Sequence, residues 1–355
     1  MSHSESYQLI TQNLQEIIGE DQLKEIVADA RPLRIYWGTA PTGQPHVGYL
    51  APLLKIAQFL QAGCEVTILF ADLHAFLDAM KSTWEQLEWR VKYYQHVLTT
   101  TLTHICVYMG VDDKVVETHL RFVRGTEFQL SQEYSIDVYQ FMSKCSLRDA
   151  NKAGAEVVKQ CRNPKMSGLL YPGLQSLDEE YLKVDAQFGG IDQRKIFMLA
   201  EKMLPLMGYS KRIHLMNPMI RSFQSDPDED EKKMSSSGGD ETKIRLTDTP
   251  AQIRKKIGKA FCREGEPVGG LMQFIQYVIF PSLVGKEWVI ERDEKYGGSL
   301  TISHYTHLEE LFIHHKIHPT DVKMAVSDWI IHLLAPVREI SIQEDFKRIT
   351  SLAYT

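Results

Sequence analysis

The chain has 355 residues, 43% of them hydrophobic and 24% charged, and carries a net charge of −6. This balance excludes a disordered or fibrous protein and a generic polyanion coat, and the length suits two domains or one large domain with an appendage. The five cysteines, Cys64, Cys106, Cys145, Cys161 and Cys262, contain no CxxC pair, so a reducing compartment is expected, without disulfides or a cysteine zinc site.

Apolar residues Leu9, Ile10, Leu14, Ile17 and Ile18 recur at helical spacing and predict one amphipathic helix over 6–28, followed by Pro32. Residues 33–37 read as a short strand broken by Gly38. A loop over 39–45 leads into a helical run over 46–61, capped by Gly63, and residues 65–70 form a nearly continuous apolar strand. This strand–loop–helix–strand order is a βαβ unit and predicts an α/β fold with a doubly wound parallel sheet. A helix over 84–100, a strand over 120–123 and a helix over 128–142 follow. Then come a polar stretch at 144–165, a helix holding 171–181, a strand at 184–187 and a helix over 191–203.

Residues 222–243 interrupt the pattern with an acidic, proline-containing run at 222–231 and then Lys232-Lys-Met-Ser-Ser-Ser-Gly-Gly239. This is the expected domain boundary. Beyond it, helices over 251–261, 271–280 and from 320 onward, with one extended piece at 287–292, predict a smaller α-rich second domain. No apolar run approaches the ~20 residues of a membrane span. The first residues lack a signal or transit pattern, so a cytoplasmic protein without membrane attachment is expected.

Two short motifs carry chemistry. Pro45-His-Val-Gly-Tyr49 follows a strand and opens a helix, where free N–H groups and the helix dipole suit phosphate. Gly48 leaves room for a flat base, and His46 adds a donor. Lys233-Met-Ser-Ser-Ser237, about 190 residues on, places a lysine in a Gly/Ser-rich loop that can close over a triphosphate.

This ordered pair resembles HIGH and KMSKS, the two signatures of class I aminoacyl-tRNA synthetases. Tyr36-Trp-Gly38, Tyr171-Pro-Gly-Leu-Gln175, Asp178 and Gly189-Gly-Ile-Asp-Gln193 are similar, more closely, to tyrosyl-tRNA synthetases of the eukaryotic and archaeal type. The resemblance runs from about residue 33 to the C-terminal helix. It implies an N-terminal helical segment (1–30) and a Rossmann-like catalytic domain (31–243). That domain would contain a connective insertion at about 120–170 and the KMSSS loop at 222–243. A C-terminal α-rich anticodon-binding domain (244–355) would follow, leaving no length for a further one. It also implies a tyrosine–tRNA ligase that forms tyrosyl-adenylate from L-tyrosine and ATP and passes tyrosyl to the terminal ribose of tRNA(Tyr), with Mg²⁺ on the phosphates.

By the same resemblance, Tyr36 and Asp178 hold the substrate phenol, and Tyr171, Gln175 and Gln193 surround its amino group. Tyr171, Gln175 and Asp178 are spaced i, i+4, i+7 on one helix face. Gly190 and Asp192 match ribose-binding positions, and Gly38 lets the adenylate approach. His74, Phe128 and Gln129 resemble pocket-lining positions. His46, Lys233, Ser235, Ser236 and Ser237 meet the phosphates. Tyr49 departs from the histidine of the signature and carries no assigned role. Residues 226–231 read as a solvated acidic insert.

For tRNA, two basic segments stand out in this acidic chain. Residues 144–165 hold Lys144, Arg148, Lys152, Lys159, Arg162 and Lys165 against Asp149 and Glu156. Residues 251–263 hold Arg254, Lys255, Lys256, Lys259 and Arg263 with no acid. The resemblance assigns the first region to the acceptor stem and a homodimer contact, Tyr296 to stacking on an anticodon base and Asp321 to reading a guanine. The clustered His304, His307, His314, His315 and His318 lack a metal-ligand pattern, and no metal site is expected. Three alternatives stay open at this point: a tryptophanyl-tRNA synthetase, a small-molecule nucleotidylyltransferase, and a non-catalytic RNA-binding descendant.

Overall fold

Two residues in the left-handed region divide the first 28. The structure, a computed structural model, describes residues 2–78, 82–156, 165–224 and 243–354. Asn13 (φ 61°), just past the first helix, and Gly19 (φ 82°), at the N-cap of the next, adopt a conformation that Asn and Gly tolerate and that a right-handed helix cannot contain. The single helix expected over 6–28 is therefore a helix His3–Thr11, a strand β1 (Glu16–Ile18) and a helix Glu20–Ala28. The β-branched Ile17 and Ile18 pair with a later strand instead of continuing the helical face.

The other strands of the main sheet are β2 (Arg34–Thr39), β3 (Glu65–Phe70), β4 (Leu120–Arg124), β5 (Ala186–Gly190) and β6 (Ile213–Asn217). Their order is β1-β6-β5-β2-β3-β4. All neighbours are parallel except β1 against β6. The doubly wound, Rossmann-like α/β sheet is thus present. β1 and β6 were not legible in the pattern. β5 begins two residues later than expected, because Asp185 is held at the strand's entry by Arg31 and Arg34 at 2.7 and 2.9 Å. The chain builds outward from β2 through β3 to β4, then returns to add β5 on β2's other side. The switch point lies between β2 and β5, and there the strand ends open a crevice.

Helix Leu50–Gln61 is almost wholly buried. Its one buried cation, Lys55, donates to Leu9 O at 2.9 Å and Gln12 O at 2.8 Å, closing the carbonyl end of helix His3–Thr11. Helix Trp84–Met109 extends nine residues past the expected 84–100, ending only at Gly110 (φ 73°). The helix expected over 128–142 breaks into Thr126–Gln129 and Gln132–Lys144, because Ser131 caps the second.

In the second half, β7 (Trp288–Ile290) and β8 (Leu300–Ile302) make an antiparallel hairpin. The helix expected from 320 onward is three helices, Pro319–Leu333, Ala335–Ser341 and Glu344–Tyr354, with a proline at the start of the second. One apolar cluster joins Leu50 and Val97 of the first half to Ile253, Phe274, Ile330 and Ala353 of the second. The two halves share a core along helix Trp84–Met109. Lys233, Ser235, Ser236 and Ser237, the acidic insert at 226–231 and the residues Lys159, Cys161 and Arg162 lie outside the described residues.

Candidate active site

The crevice between β2 and β5 is a cavity of about 570 Å³. Eleven expected residues line it: Tyr36, Gly38, His46, Gly48, His74, Tyr171, Gln175, Asp178, Gly190, Asp192 and Gln193. Tyr36 and Gly38 come from β2, and Gly190 from the end of β5. Asp192 and Gln193 lie on the turn Ile191–Gln193, and Tyr171, Gln175 and Asp178 on one face of helix Met166–Tyr181.

At the closed end, Asp178 and Tyr36 are each 1% exposed. Tyr36 Oη donates to Gln175 O at 3.1 Å. Asp178 Oδ1 accepts from Gln129 Nε2 at 2.8 Å and from Tyr134 Oη at 2.9 Å. Asp178 Oδ2 has no hydrogen-bond partner among the described residues, nor does either ring nitrogen of His74. Burial pushes the Asp178 carboxyl up to about 7, against the lowering effect of Gln129 and Tyr134. Burial also holds His74 near 4, so its 3.9 Å approach to Asp178 Oδ2 is that of a neutral ring. Its ring meets Tyr171 edge to face at 4.6 Å. Gln175 Nε2 donates to Gln193 Oε1 at 3.2 Å, tying the long helix to the turn after β5.

Gln129 and Phe128 stand behind this end and do not line it. The Gln129 amide acts on the Asp178 carboxylate. Phe128 packs edge to face on Tyr134 at 5.7 Å, with apolar neighbours.

At the open end, His46 does cap the turn Val47–Tyr49: its Nδ1 accepts from Gly48 N at 3.1 Å. Burial, then the nearby Lys243, depresses its pKa to about 4. The ring is neutral with Nδ1 as acceptor, so the proton sits on Nε2, a donor available to an anion. Tyr49 sits among Trp37, His46 and Tyr94, its hydroxyl 3.3 Å from Thr39 Oγ1 and 3.4 Å from Tyr94 Oη. The fourth signature position is a brace for the loop. Val47 N donates to Ile244 O at 2.8 Å and Leu246 N to Pro45 O at 3.1 Å. The chain leaving the KMSSS segment is thereby stitched to the HVGY turn. A Cβ at Gly190 would come within 2.5 Å of Asp192 Oδ1, so glycine there lets that carboxylate lie along the strand end.

A nucleotide-sized cleft at a βαβ switch point, an HVGY turn and a buried tyrosine–aspartate pair now stand together, and the comparisons agree. The family model for tRNA synthetases class I (W and Y) matches residues 28–335. The chain belongs to this family. It is 54% identical over 348 residues to a cytoplasmic tyrosine–tRNA ligase of Xenopus tropicalis, covering 98% of this chain and 62% of that protein. It is 46% identical to a probable cytoplasmic tyrosine–tRNA ligase of Encephalitozoon cuniculi, covering 96% of each. The tyrosyl-tRNA synthetase of Archaeoglobus fulgidus, solved with L-tyrosine, matches with a TM-score of 0.83 and 33% identity over 95% of this chain and 99% of that one. The chain spans less than two thirds of the vertebrate relatives it matches.

In this member of the class I family, Tyr296 and Asp321 are not among the residues that line the cleft. Tyr296 is 64% exposed, with Lys295 Nζ 4.9 Å from its ring centroid. Asp321 is half-buried in the first turn of helix Pro319–Leu333. Of the basic segment 251–263, Arg254 pairs with Asp328, Lys256 with Asp248 and Arg263 with Glu266, so it is less free than its composition implies. Lys144, Arg148, Lys152 and Lys165 of the first segment are exposed. No helix among the described residues is long and apolar enough to cross a membrane.

Sequence reasoning missed two residues of the closed end. Tyr134 reads as an ordinary apolar position of an amphipathic helix, yet its hydroxyl also lies 2.9 Å from Leu174 O, sharing its hydrogen with Asp178. Gln187 sits opposite Tyr36 in the β2–β5 register, lines the cavity and keeps a buried Oε1 without a partner. A glutamine inside an apolar strand was the signal that could have found it.

Proposed function

We propose that this chain is a tyrosine–tRNA ligase. The observation that carries this is the fully buried Asp178, whose Oδ2 lacks a partner, in the same closed pocket as the Tyr36 hydroxyl. A phenol entering there can donate to Asp178 and accept from Tyr36, satisfying two buried polar groups that phenylalanine would leave unpaired. An indole has no oxygen to accept from Tyr36, which disfavours tryptophan.

Tyr171, Gln175 and Gln193 would surround the substrate ammonium, and Asp192 would accept from the ribose hydroxyls. The substrate carboxylate attacks the α-phosphorus of ATP, the α–β P–O bond breaks, and pyrophosphate leaves. Such a step is served by positioning and by donors to the phosphates. Neutral His46 supplies one, and Lys233 with Ser235, Ser236 and Ser237 would supply others. Transfer then follows: a ribose hydroxyl at the tRNA terminus attacks the adenylate carbonyl, loses its proton, and AMP departs. No group of three or more His, Cys, Asp or Glu residues that could hold a metal occurs among the described residues. The Mg²⁺ expected with ATP would come with the nucleotide and offset the charge on its phosphates.

The C-terminal domain (244–355) would read the anticodon through Tyr296 and Asp321, and the exposed cations of 144–165 would meet the acceptor stem. The exposed Met142, Leu147 and Met166 line an apolar groove with Phe141 and Leu170, and Ile136 and Tyr139 of the same helix as Met142 are exposed too. This supports a homodimer through that face. A cytoplasmic location follows the relatives' names. A pyrophosphate-exchange panel over all amino acids tests the reading. Tyrosine alone should drive exchange. Exchange with tryptophan, or none at all, would overturn it in favour of a tryptophan enzyme or a non-catalytic RNA binder.

A further inference from the structure

Arg90, 9% exposed, is held by three separate parts of the chain. Its Nη1 donates to Thr42 O at 2.7 Å and to Ser82 Oγ, and its Nε donates to Ala353 O at 2.9 Å. The guanidinium lies 5.2 Å from the ring centroid of Tyr354. Thr42 belongs to the loop 39–45 that lines the open end of the cavity and delivers His46. Ala353 lies in the last turn of helix Glu344–Tyr354, where carbonyls lack helical partners and attract a cation.

One turn further along helix Trp84–Met109, Tyr94 repeats the grip, donating to the next loop carbonyl, Gly43 O. Between them, Tyr93 packs on Phe346 at 5.0 Å and on Tyr354 at 5.1 Å. A single helical turn thus holds two consecutive carbonyls of the nucleotide-side loop and the end of the C-terminal helix. By contrast, Tyr36 and Asp178 of the closed end stand on β2 and helix Met166–Tyr181, and none of these Arg90 hydrogen bonds reaches either element.

We propose that Arg90 is a positioning residue that couples docking of helix Glu344–Tyr354 to the geometry of loop 39–45, and so to ATP rather than to tyrosine. The guanidinium fork satisfies two backbone carbonyls from distant segments at once, so losing one anchor frees it to drift from the other. This rests on the functional reading above for its substrates and stands on geometry for the coupling.

Tyr354→Ala removes the aromatic cover without touching the loop. On the full chain, it should speed amide hydrogen exchange over 40–45 by about tenfold and raise the KM for ATP by roughly tenfold. The tyrosine dissociation constant should change by less than about twofold. Arg90→Gln should behave alike, and the double variant should be no worse than Arg90→Gln alone. Should Arg90→Gln not fold, Arg90→Lys, which can hold only one carbonyl well, carries the same expectation. Unchanged exchange over 40–45 in Tyr354→Ala, equal losses toward both substrates, or additive effects would overturn the coupling. If the unaltered protein shows no tyrosine-dependent exchange of pyrophosphate, the functional reading falls while amide exchange still decides the coupling.

Discussion

The Gln129 amide donates to Asp178 Oδ1 at 2.8 Å and leaves Oδ2 turned to the pocket without a partner. One oxygen is engaged by the protein, and the other meets only the neutral His74 ring, at 3.9 Å. Tyr134, on the next helix along the chain, donates to the same oxygen, so the carboxylate's orientation is set by the protein itself.

Removing either support should loosen that orientation. Tyr134→Phe and Gln129→Leu are each expected to weaken tyrosine binding by about tenfold, the worth of one hydrogen bond to a charged group. Calorimetric titration of tyrosine checks this, with the KM for ATP as the control that should stay put.

The Asp178 carboxyl predicts a pH dependence. Its folded pKa is raised from 3.8 to about 7, so between those values the folded protein keeps a proton that the unfolded chain gives up. Its contribution to stability is present below about pH 4 and declines as pH rises toward 7. Tyrosine binding, which needs the carboxylate as acceptor, should run the other way and tighten from pH 6 to 8. Asp178→Asn should flatten both profiles, measured by denaturant titration and by tyrosine affinity.

Asp178→Ala should cost tyrosine activation more than Ser236→Ala does. The first removes the buried acceptor, and the second removes one hydroxyl among three. Equal losses in pyrophosphate exchange would refute the phenol-reading role.

His46→Ala should slow adenylate formation by about a hundredfold, the typical effect of losing one donor to developing charge. Tyrosine affinity should not move. Because the ring is neutral down to about pH 4 in the free protein, no inflection between pH 5 and 8 should depend on His46. Single-turnover rates across pH test both statements.

Asp321→Ala should leave pyrophosphate exchange near normal and weaken tRNA charging by about tenfold, the lower end of a base-specific contact. Impaired exchange in this variant would refute the assignment of the C-terminal domain to tRNA.

The sequence already named eleven residues that line the cleft. HVGY after a strand, and Tyr171, Gln175 and Asp178 at i, i+4, i+7, are local patterns, and local geometry brings their members to one side of one element. The strand β1 was missed because its partner β6 lies about two hundred residues away and its own residues sit inside a helical periodicity that Asn13 and Gly19 break. Tyr134 and Gln187 were missed for a related reason: a buried polar group looks like any core residue until its neighbour is known.

By itself, then, the sequence determined the βαβ unit, the family resemblance and eleven of the residues that line the cavity, because spacing along one helix or strand suffices for these. Tertiary structure alone decided that Gln129 and Tyr134 spend one oxygen of Asp178, and that the chain after the KMSSS segment is stitched to the HVGY turn. It also decided that Arg90 joins the last helix to the nucleotide-side loop. Each of these rests on hydrogen bonds between groups 44 to 263 residues apart, and no periodicity encodes a contact whose partners meet only when the chain has folded.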